Sequence, residues 1–357
     1  AFGEGFGIDR AGQAVQERRI ERYMHTPGGQ PLLPGMLNFT LYGTLHDVIA
    51  RGQPPAQLAW RIGTMMRLHP RAHWMPSFVD NHDVDRFLAG ASPAALKQAL
   101  LLIFTLPGVP VVTYGTEQGF TEQRAAMFAA GWGAGGRSHF DTQAPLYATL
   151  RELAQLRRAH RALTRGTPTV LRANAAAPGV LAYRMRHGRD DVLVLMNTAD
   201  TATLADNIAT GWPAGTQPVP LFSLGEVPAV RADARGHINV VLPARSAVVW
   251  RAGAQAAVPR ASAGTAAPQG HDPSPQMISQ APPVSDSTSR PTPTTTALSI
   301  DPLPAADTRH ATLRVTGRAA PHSDVAVVVD GGVAHAQQVQ ASATGHWQAT
   351  LALGDMI

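Results

Sequence analysis

The tripeptide Asn81-His82-Asp83 sets an imidazole and a carboxylate side by side directly after the apolar run Trp74-Met75-Pro76-Ser77-Phe78-Val79. Such a run reads as a buried strand, and its polar end as the loop into which the strand opens. The pattern returns downstream, where Val109-Pro110-Val111-Val112-Thr113-Tyr114 runs into Gly115-Thr116-Glu117. Two buried strands with carboxylate-bearing exits suggest a (β/α) barrel, in which chemistry gathers at the C-terminal ends of the strands.

Phe78-Val79-Asp80-Asn81-His82-Asp83 and Pro107-Gly108-Val109-Pro110-Val111-Val112-Thr113-Tyr114-Gly115-Thr116-Glu117 resemble the last two signature regions of the α-amylase family of glycoside hydrolases. The resemblance implies a retaining enzyme acting on α-glucosidic bonds of starch-like glucans or maltooligosaccharides. It also implies a general acid, a Glu that follows Gly at the tip of barrel strand five, and Phe2-Gly3-Glu4 matches that pattern. From Glu4 to His82 is 78 residues, room for two βα units of a barrel that needs roughly 31 residues for each. Leu37-Asn38-Phe39 then reads as strand six, and the two signature segments as strands seven and eight. The family's nucleophilic Asp and its Arg partner lie on strand four, so the chain reads as the C-terminal part of an enzyme whose nucleophile lies upstream of Ala1. Leu353-Gly354-Asp355-Met356-Ile357 reads as a second break, inside a domain.

Hydrolysis with retention needs an acid to protonate the leaving oxygen and a carboxylate about 5 to 5.5 Å away to attack the anomeric carbon. The resemblance makes Glu4 the acid, which would then activate water in the second step. Asp83 becomes a second catalytic residue, accepting hydrogen bonds from sugar hydroxyls that strengthen as the ring flattens toward an oxocarbenium ion. His82 becomes a substrate-binding residue at a neighbouring hydroxyl, and Asn81 fixes the loop. On residue type alone Glu4 also fits an exposed Glu in a Gly-rich segment, and His82 a capping or core histidine. Gly115 is expected to provide a tight strand exit and Glu117 local hydrogen bonds. Asp80, Asp85 and Arg86 fit either sugar contacts or an ion pair behind them. Trp132 fits stacking on a sugar face or packing within its loop. The chemistry needs no cofactor. A structural calcium, common in the family, would take its ligands from upstream of this chain.

Composition narrows the partners. A chain of 357 residues with 44% hydrophobic content is long enough for two or three domains with cores of their own. The net charge is +5, but Lys97 is the single lysine and the arginines are scattered, whereas nucleic-acid binding needs a concentrated basic face. The expected partner is thus an α-glucan or oligosaccharide, with no nucleic acid. No apolar run reaches the length of a membrane span. The absence of cysteine excludes disulfides and thiolate metal sites.

The fold class expected is α/β. Residues 1–165 form the C-terminal half of a catalytic (β/α)8 TIM barrel, and 166–252 an all-β sandwich domain of amylase type. Residues 253–300 form a disordered Pro/Ser/Thr linker, too poor in large apolar side chains to offset its ordering entropy. Residues 301–357 form a partial immunoglobulin-like β module. In the barrel part, Ser92-Pro93 opens a helix as a cap followed by Pro at the first helical position. Leu146, Leu150, Leu153 and Leu156 stripe a closing helix from Pro145 to His160. Phe120 to Thr142, with Gly131, Gly133, Gly135 and Gly136, reads as a long loop. Val180–Arg184, Val192–Met196, Ile238–Leu242 and Ser246–Trp250 have the period of antiparallel strands. In the module, Thr312–Gly317, Val325–Gly332 and Gly345–Leu351 do. Linker and module suit an exported bacterial enzyme, secreted or periplasmic. A transglycosylase or glucoside isomerase of the same family would use the same residues and differ in how it excludes water. A non-catalytic amylase-like binding protein would be expected to lack these carboxylates.

Overall fold

The computed structural model describes residues 1–253, 299–301, 312–327 and 337–352. The chain divides into two compact units, residues 1–264 and 265–357. The expected linker over 253–300, apart from Gly253, Ser299 and Ile300, and the end from Leu353 to Ile357 lie outside the described residues.

In the first unit four short parallel strand segments neighbour one another in chain order. Gly3 donates its N–H to Gly35 O (3.0 Å) and accepts from Leu37 N (2.9 Å), and Asn38 donates to Pro76 O (2.9 Å). Strand β1 (Pro76–Ser77) pairs with β2 (Val109–Pro110) in parallel, Pro76 opposite Val109. Helices stand between and after these segments: α1 (Val15–Met24), α2 (Phe39–Leu45, continued by a wider turn over His46–Ala50), α3 (Ala56–Leu68), α4 (Pro93–Thr105), α5 (Pro145–Ala159) and α6 (Arg161–Arg165). Among the described residues the parallel segments do not close into a barrel, and β2 is an edge. Val109 is 48% and Tyr114 46% exposed. The run expected as a second buried strand is therefore half-exposed, because it has a strand neighbour on one side only.

Local chemistry sets the element boundaries. Ser92 Oγ accepts the Ala95 N–H at 3.2 Å and Pro93 occupies the first turn, so α4 starts where the sequence places it. This helix is apolar on nearly every side and is buried almost throughout. It ends before Gly108, whose φ of +132° and approach to the Met75 carbonyl, 2.9 Å from where a Cβ would stand, leave no room for a side chain. Asn38 corrects the expected strand at Leu37-Asn38-Phe39. Its Oδ1 accepts from Leu41 N (3.0 Å) and Thr40 Oγ1 (3.2 Å), which caps α2 and turns Phe39 from strand into helix.

Residues 167–251 form a sandwich whose main sheet has the order β3 (Thr167–Ala173), β4 (Val180–His187), β5 (Asp190–Asn197), β9 (Ala247–Arg251), β7 (Val219–Leu224). The second sheet pairs β6 (Thr203–Ala209) with β8 (His237–Leu242). Alternate residues of the main sheet face opposite ways. Val180, Ala182, Leu193, Leu195, Val248 and Trp250 join Ile238, Val240 and Leu242 in the sandwich core. Leu181, Tyr183, Met185, Val192, Val194 and Val249 pack instead with Leu96, Leu100, Ile103, Leu153 and Leu156 of α4 and α5. Helices and sandwich thus share one core, which polar bonds cross: Gln98 Nε2 donates to Asn197 O (2.7 Å), and Arg245 Nη1 to Ile49 O (2.9 Å).

The second unit has a three-stranded antiparallel sheet, β10 (Ser299–Ile300), β11 (Thr312–Arg318) and β14 (His346–Ala352), and a pair, β12 (Asp324–Val327) with β13 (Gln337–Gln340). Val315, Val325, Trp347 and Ala349 form its core. Strands appear near 312–317 and 345–351 as expected. Of the expected strand from Val325 to Gly332, β12 covers the start and the rest lies outside the described residues.

Candidate active site

Three of the four parallel segments, those at Gly3, β1 and β2, lead beyond their backbone bonds into the polar groups of the site. Glu4 follows Gly3, whose space is filled by Met36: a Cβ there would meet Met36 Sδ at 2.5 Å. Glu4 is exposed and, among the described residues, has no bond to His82 or Asp83.

Beyond β1 the chain runs through buried Phe78 and Val79 into a braced loop. Asn81 Oδ1 accepts the Asp83 N–H at 2.8 Å, an Asx-type turn that gives Asn81 the loop-fixing role expected of it. This turn presents His82 and Asp83 together, with His82 Nε2 3.2 Å from Asp83 Oδ2 and the two side chains 68% and 37% exposed. Underneath, Asp80 is buried. It accepts from Phe87 N (3.0 Å) and Thr116 Oγ1 (2.9 Å) and lies 3.7 Å from the Arg86 guanidinium. Arg86, buried in turn, donates to Tyr114 O (2.7 Å) and lies over the Tyr114 ring, 5.2 Å from its centroid. Asp80 and Arg86 are therefore the ion pair behind the site, and Asp85 stands exposed. His46 Nε2–H donates to Val79 O at 2.8 Å. Burial lowers its pKa below the ordinary 6.5, so the ring stays neutral and donates to that carbonyl.

Beyond β2, Gly115 takes φ +85°, and a Cβ there would strike Phe120 at 2.3 Å, so the exit needs glycine as expected. The local hydrogen bonds expected of Glu117 are made instead by its neighbour Thr116, through Asp80 and Arg86. Three consecutive residues of the following loop are tied to the His82–Arg86 segment. Glu122 O accepts from Arg86 Nε (3.3 Å), Gln123 Nε2 donates to Val84 O (3.0 Å), and Arg124 Nε donates to His82 O (3.1 Å). Arg124 Nη2 also lies 3.5 Å from Asp83 Oδ1. Arg124, Gln123, Thr116 and His46 were not singled out in the sequence: each acts through a contact distant along the chain, and only the boundary of the Gly115 exit hinted at Thr116. Trp132, in the same loop, is 71% exposed.

A cavity of 420 Å³ opens beside Asp83, walled by Tyr42, His46, Arg51, Asp85 and Gln123, within the usual range for small-ligand clefts of about 300–1,000 Å³. Among the described residues no group of three or more His, Asp or Glu side chains is arranged to hold a metal ion, and no helix is long and apolar enough to cross a membrane.

No family model matches the chain. It is 32% identical over 185 residues to a cyclomaltodextrin glucanotransferase of Paenibacillus macerans, covering 50% of this chain and 24% of that protein. To an α-amylase of Streptomyces lividans it is 31% identical over 230 residues, covering 53% of the chain and 24% of that protein. The chain thus spans about a quarter of the length of these relatives. Its fold matches the crystal structure of an Anoxybacillus α-amylase with a TM-score of 0.58 at 19% identity, over 72% of this chain and 53% of that one. With the two signature segments standing at adjacent strand exits, the chain is similar, over the residues its relatives match, to enzymes of the α-amylase family of glycoside hydrolases.

Proposed function

We propose that residues 1–165 are strands five to eight, with their helices, of a (β/α)8 barrel in an α-glucan-active retaining enzyme. Glu4 is its general acid and base, Asp83 a catalytic group at the sugar next to the cleaved bond, and His82 a substrate contact. The nucleophile belongs to strand four, outside these residues. The observation that carries this reading is the hydrogen-bonded order Gly3, Leu37, Pro76, Val109 of parallel segments. Parallel neighbours end on the same side, so Glu4, His82-Asp83 and Gly115-Thr116-Glu117 leave the sheet at one end, where barrel enzymes keep their chemistry.

In this mechanism Glu4 protonates the glycosidic oxygen as the bond to the anomeric carbon breaks, and then takes a proton from the water that releases the sugar. Asp83 and His82 accept and donate at ring hydroxyls, and Arg124 with the Asn81 turn holds them rigid. The cavity beside Asp83 accepts part of the glucan, and Trp132 offers a ring face to it. Calcium, if the enzyme uses it, is held by residues outside this chain. The linker and immunoglobulin-like module expected from the sequence would suit an enzyme working outside the bacterial cytoplasm on a polymer.

Glucanotransferases among the relatives favour a second reading, transfer of the glycosyl group to another sugar instead of water. The products formed from maltooligosaccharides by the complete enzyme separate the two. The assignment of Glu4 is tested by Glu4→Gln in that enzyme. Turnover should fall by at least about 10²- to 10⁴-fold, the usual worth of general acid catalysis, while glucan binding survives. A variant keeping more than a tenth of wild-type turnover refutes the assignment.

A further inference from the structure

Behind the Glu4 segment lies a chain of buried charges that the mechanism above does not use. Asp9, 3% exposed, stands five residues beyond Glu4. Its carboxylate accepts from Gln16 N (2.8 Å) and Glu17 N (2.9 Å), covering N–H groups of the first turn of α1. Arg61 reaches from α3 to four places at once. Its Nη1 bonds Glu17 and lies 3.4 Å from Asp9 Oδ2, its Nη2 donates to Gln13 O (3.1 Å), and its Nε to Thr44 Oγ1 (3.1 Å) on α2. His69, just past α3, has Nε2 3.1 Å from Glu17 Oε1, and its Nδ1 bonds Glu21. Glu21 continues the chain to His25 Nδ1 at 2.6 Å.

Both ring nitrogens of His69 meet carboxylates, so both donate, which only the imidazolium can do. Burial pushes its pKa down, but Glu17 and Glu21 outweigh burial and hold it above the ordinary 6.5. Burial pushes Glu17 up, but His69 and Arg61 outweigh it and hold Glu17 below 4.5. The groups facing His69 are Glu17 and Glu21 of α1, Arg61 of its own helix and Asp9 behind Arg61, with His25 beyond Glu21. Three carboxylates, Asp9, Glu17 and Glu21, thus face Arg61, His69 and His25.

We infer that Asp9, Arg61, Glu17 and His69 are positioning residues that fix where Glu4 stands at its strand exit. The inference rests on the reading of Glu4 as the acid. The intervening segment is pinned from both ends and along its length: Gly3 by its backbone bonds, Phe6 on the Phe39 ring at 4.4 Å, Ile8 against Gly43, and Asp9 by the charges. A displacement of about 1 Å at a catalytic group can cost about 100-fold in rate. His69's contribution is fully present below 6.5 and is lost as pH rises through its elevated native value, leaving unbalanced negative charge between α1 and α3. Glu17's is present above 4.5 and is lost as pH falls through its lowered value.

The test is the pH dependence of kcat and KM in the complete enzyme, with His69 protonation followed by imidazole NMR. Wild-type kcat should decline on the alkaline side together with the titration of His69, at constant KM. Glu21→Gln, which removes one of the two carboxylates, should move both midpoints to lower pH together. Asp9→Asn should lower kcat about 10- to 100-fold at every pH with KM unchanged. His69→Gln should remove the His69-linked limb, and if it does not fold, Glu21→Gln decides, since Glu21 is partly exposed. If Glu21→Gln moves the His69 titration and leaves the kcat limb in place, or if Asp9→Asn lowers thermal stability with kcat unchanged, the inference is overturned. Failure of the underlying reading is separate and shows as retained turnover in Glu4→Gln.

Discussion

The Asp83 carboxylate faces His82 and Arg124 and remains open to solvent, while the Asp83 backbone N–H is held by Asn81 Oδ1. Asp83→Asn should therefore lower kcat more than it raises KM, because its hydrogen bonds tighten in the transition state. His82→Ala should be milder in both. Steady-state kinetics on maltooligosaccharides decide, and a raised KM with intact kcat reduces Asp83 to a binding residue. Behind them, Arg86→Ala would strand the buried Asp80 carboxylate, at a cost of about 3–5 kcal/mol in a urea titration. The tripeptide Asn81-His82-Asp83 was legible because adjacency is a property of sequence. Arg124 was not: it belongs to a loop without periodicity, and its value comes from reaching His82 across 42 positions.

Among the elements, α4 and α5 could be placed closely because Ser92-Pro93 and Pro145 mark their starts and leucines stripe one face. The start of α1 could not, since its cap is Asp9, several residues before Val15, and Ala14 at the usual capping position makes no side-chain bond. Arg157 of α5 was equally hidden. It donates to Phe104 O (2.7 Å), Leu106 O (3.2 Å), Leu163 O (2.6 Å) and to Gly108 O, closing the turn that leads into β2. Burial without a carboxylate partner lowers its pKa to about 10. Arg157→Ala leaves those carbonyls unsatisfied and should destabilise the first unit by about 3 kcal/mol in chemical denaturation. The period-two runs of β4, β5 and β9 mark antiparallel strands of a sandwich, and both faces of that sheet are buried. Excised as residues 167–251, the sandwich would expose Leu181, Tyr183, Met185, Val192 and Val194. It should bind a hydrophobic dye or aggregate, and a sharp, monomeric unfolding transition would contradict the shared core.

Taken whole, the described first unit presents Glu4, His82 and Asp83 from an open sheet. Phe2 and Phe6 are each 59% exposed and Val109 48%, apolar surface of the kind a closed barrel would cover. Residues 1–357 alone should therefore hydrolyse no starch and should self-associate in light scattering. Supplying the complementary four strands in trans should restore closure and activity. Starch hydrolysis by the purified chain would show that Glu4 is misassigned, or that another carboxylate such as Asp80 or Asp85 serves as nucleophile. The barrel reading depended on signature segments that keep their residue types at strand exits. The open edge at β2 was legible only from the strand count, since four strands of eight leave the sheet unpaired on each side, whereas Val109-Pro110-Val111-Val112 by itself spells a buried strand.

In the proposed barrel the unpaired side of β2 would also set the timing of assembly. In a barrel of eight parallel strands, the last strand to leave the ribosome must find the first, across the longest sequence separation the domain contains. Contacts of that kind pay their loop entropy before they are rewarded and slow the folding rate. Strands one to seven would then wait as an open, sticky sheet during synthesis at about 5–20 residues per second. In such a barrel, closure is gated by the arrival of Val109–Val111, and a substitution there would act first on the yield of folded enzyme in the cell, ahead of any effect on its catalytic rate.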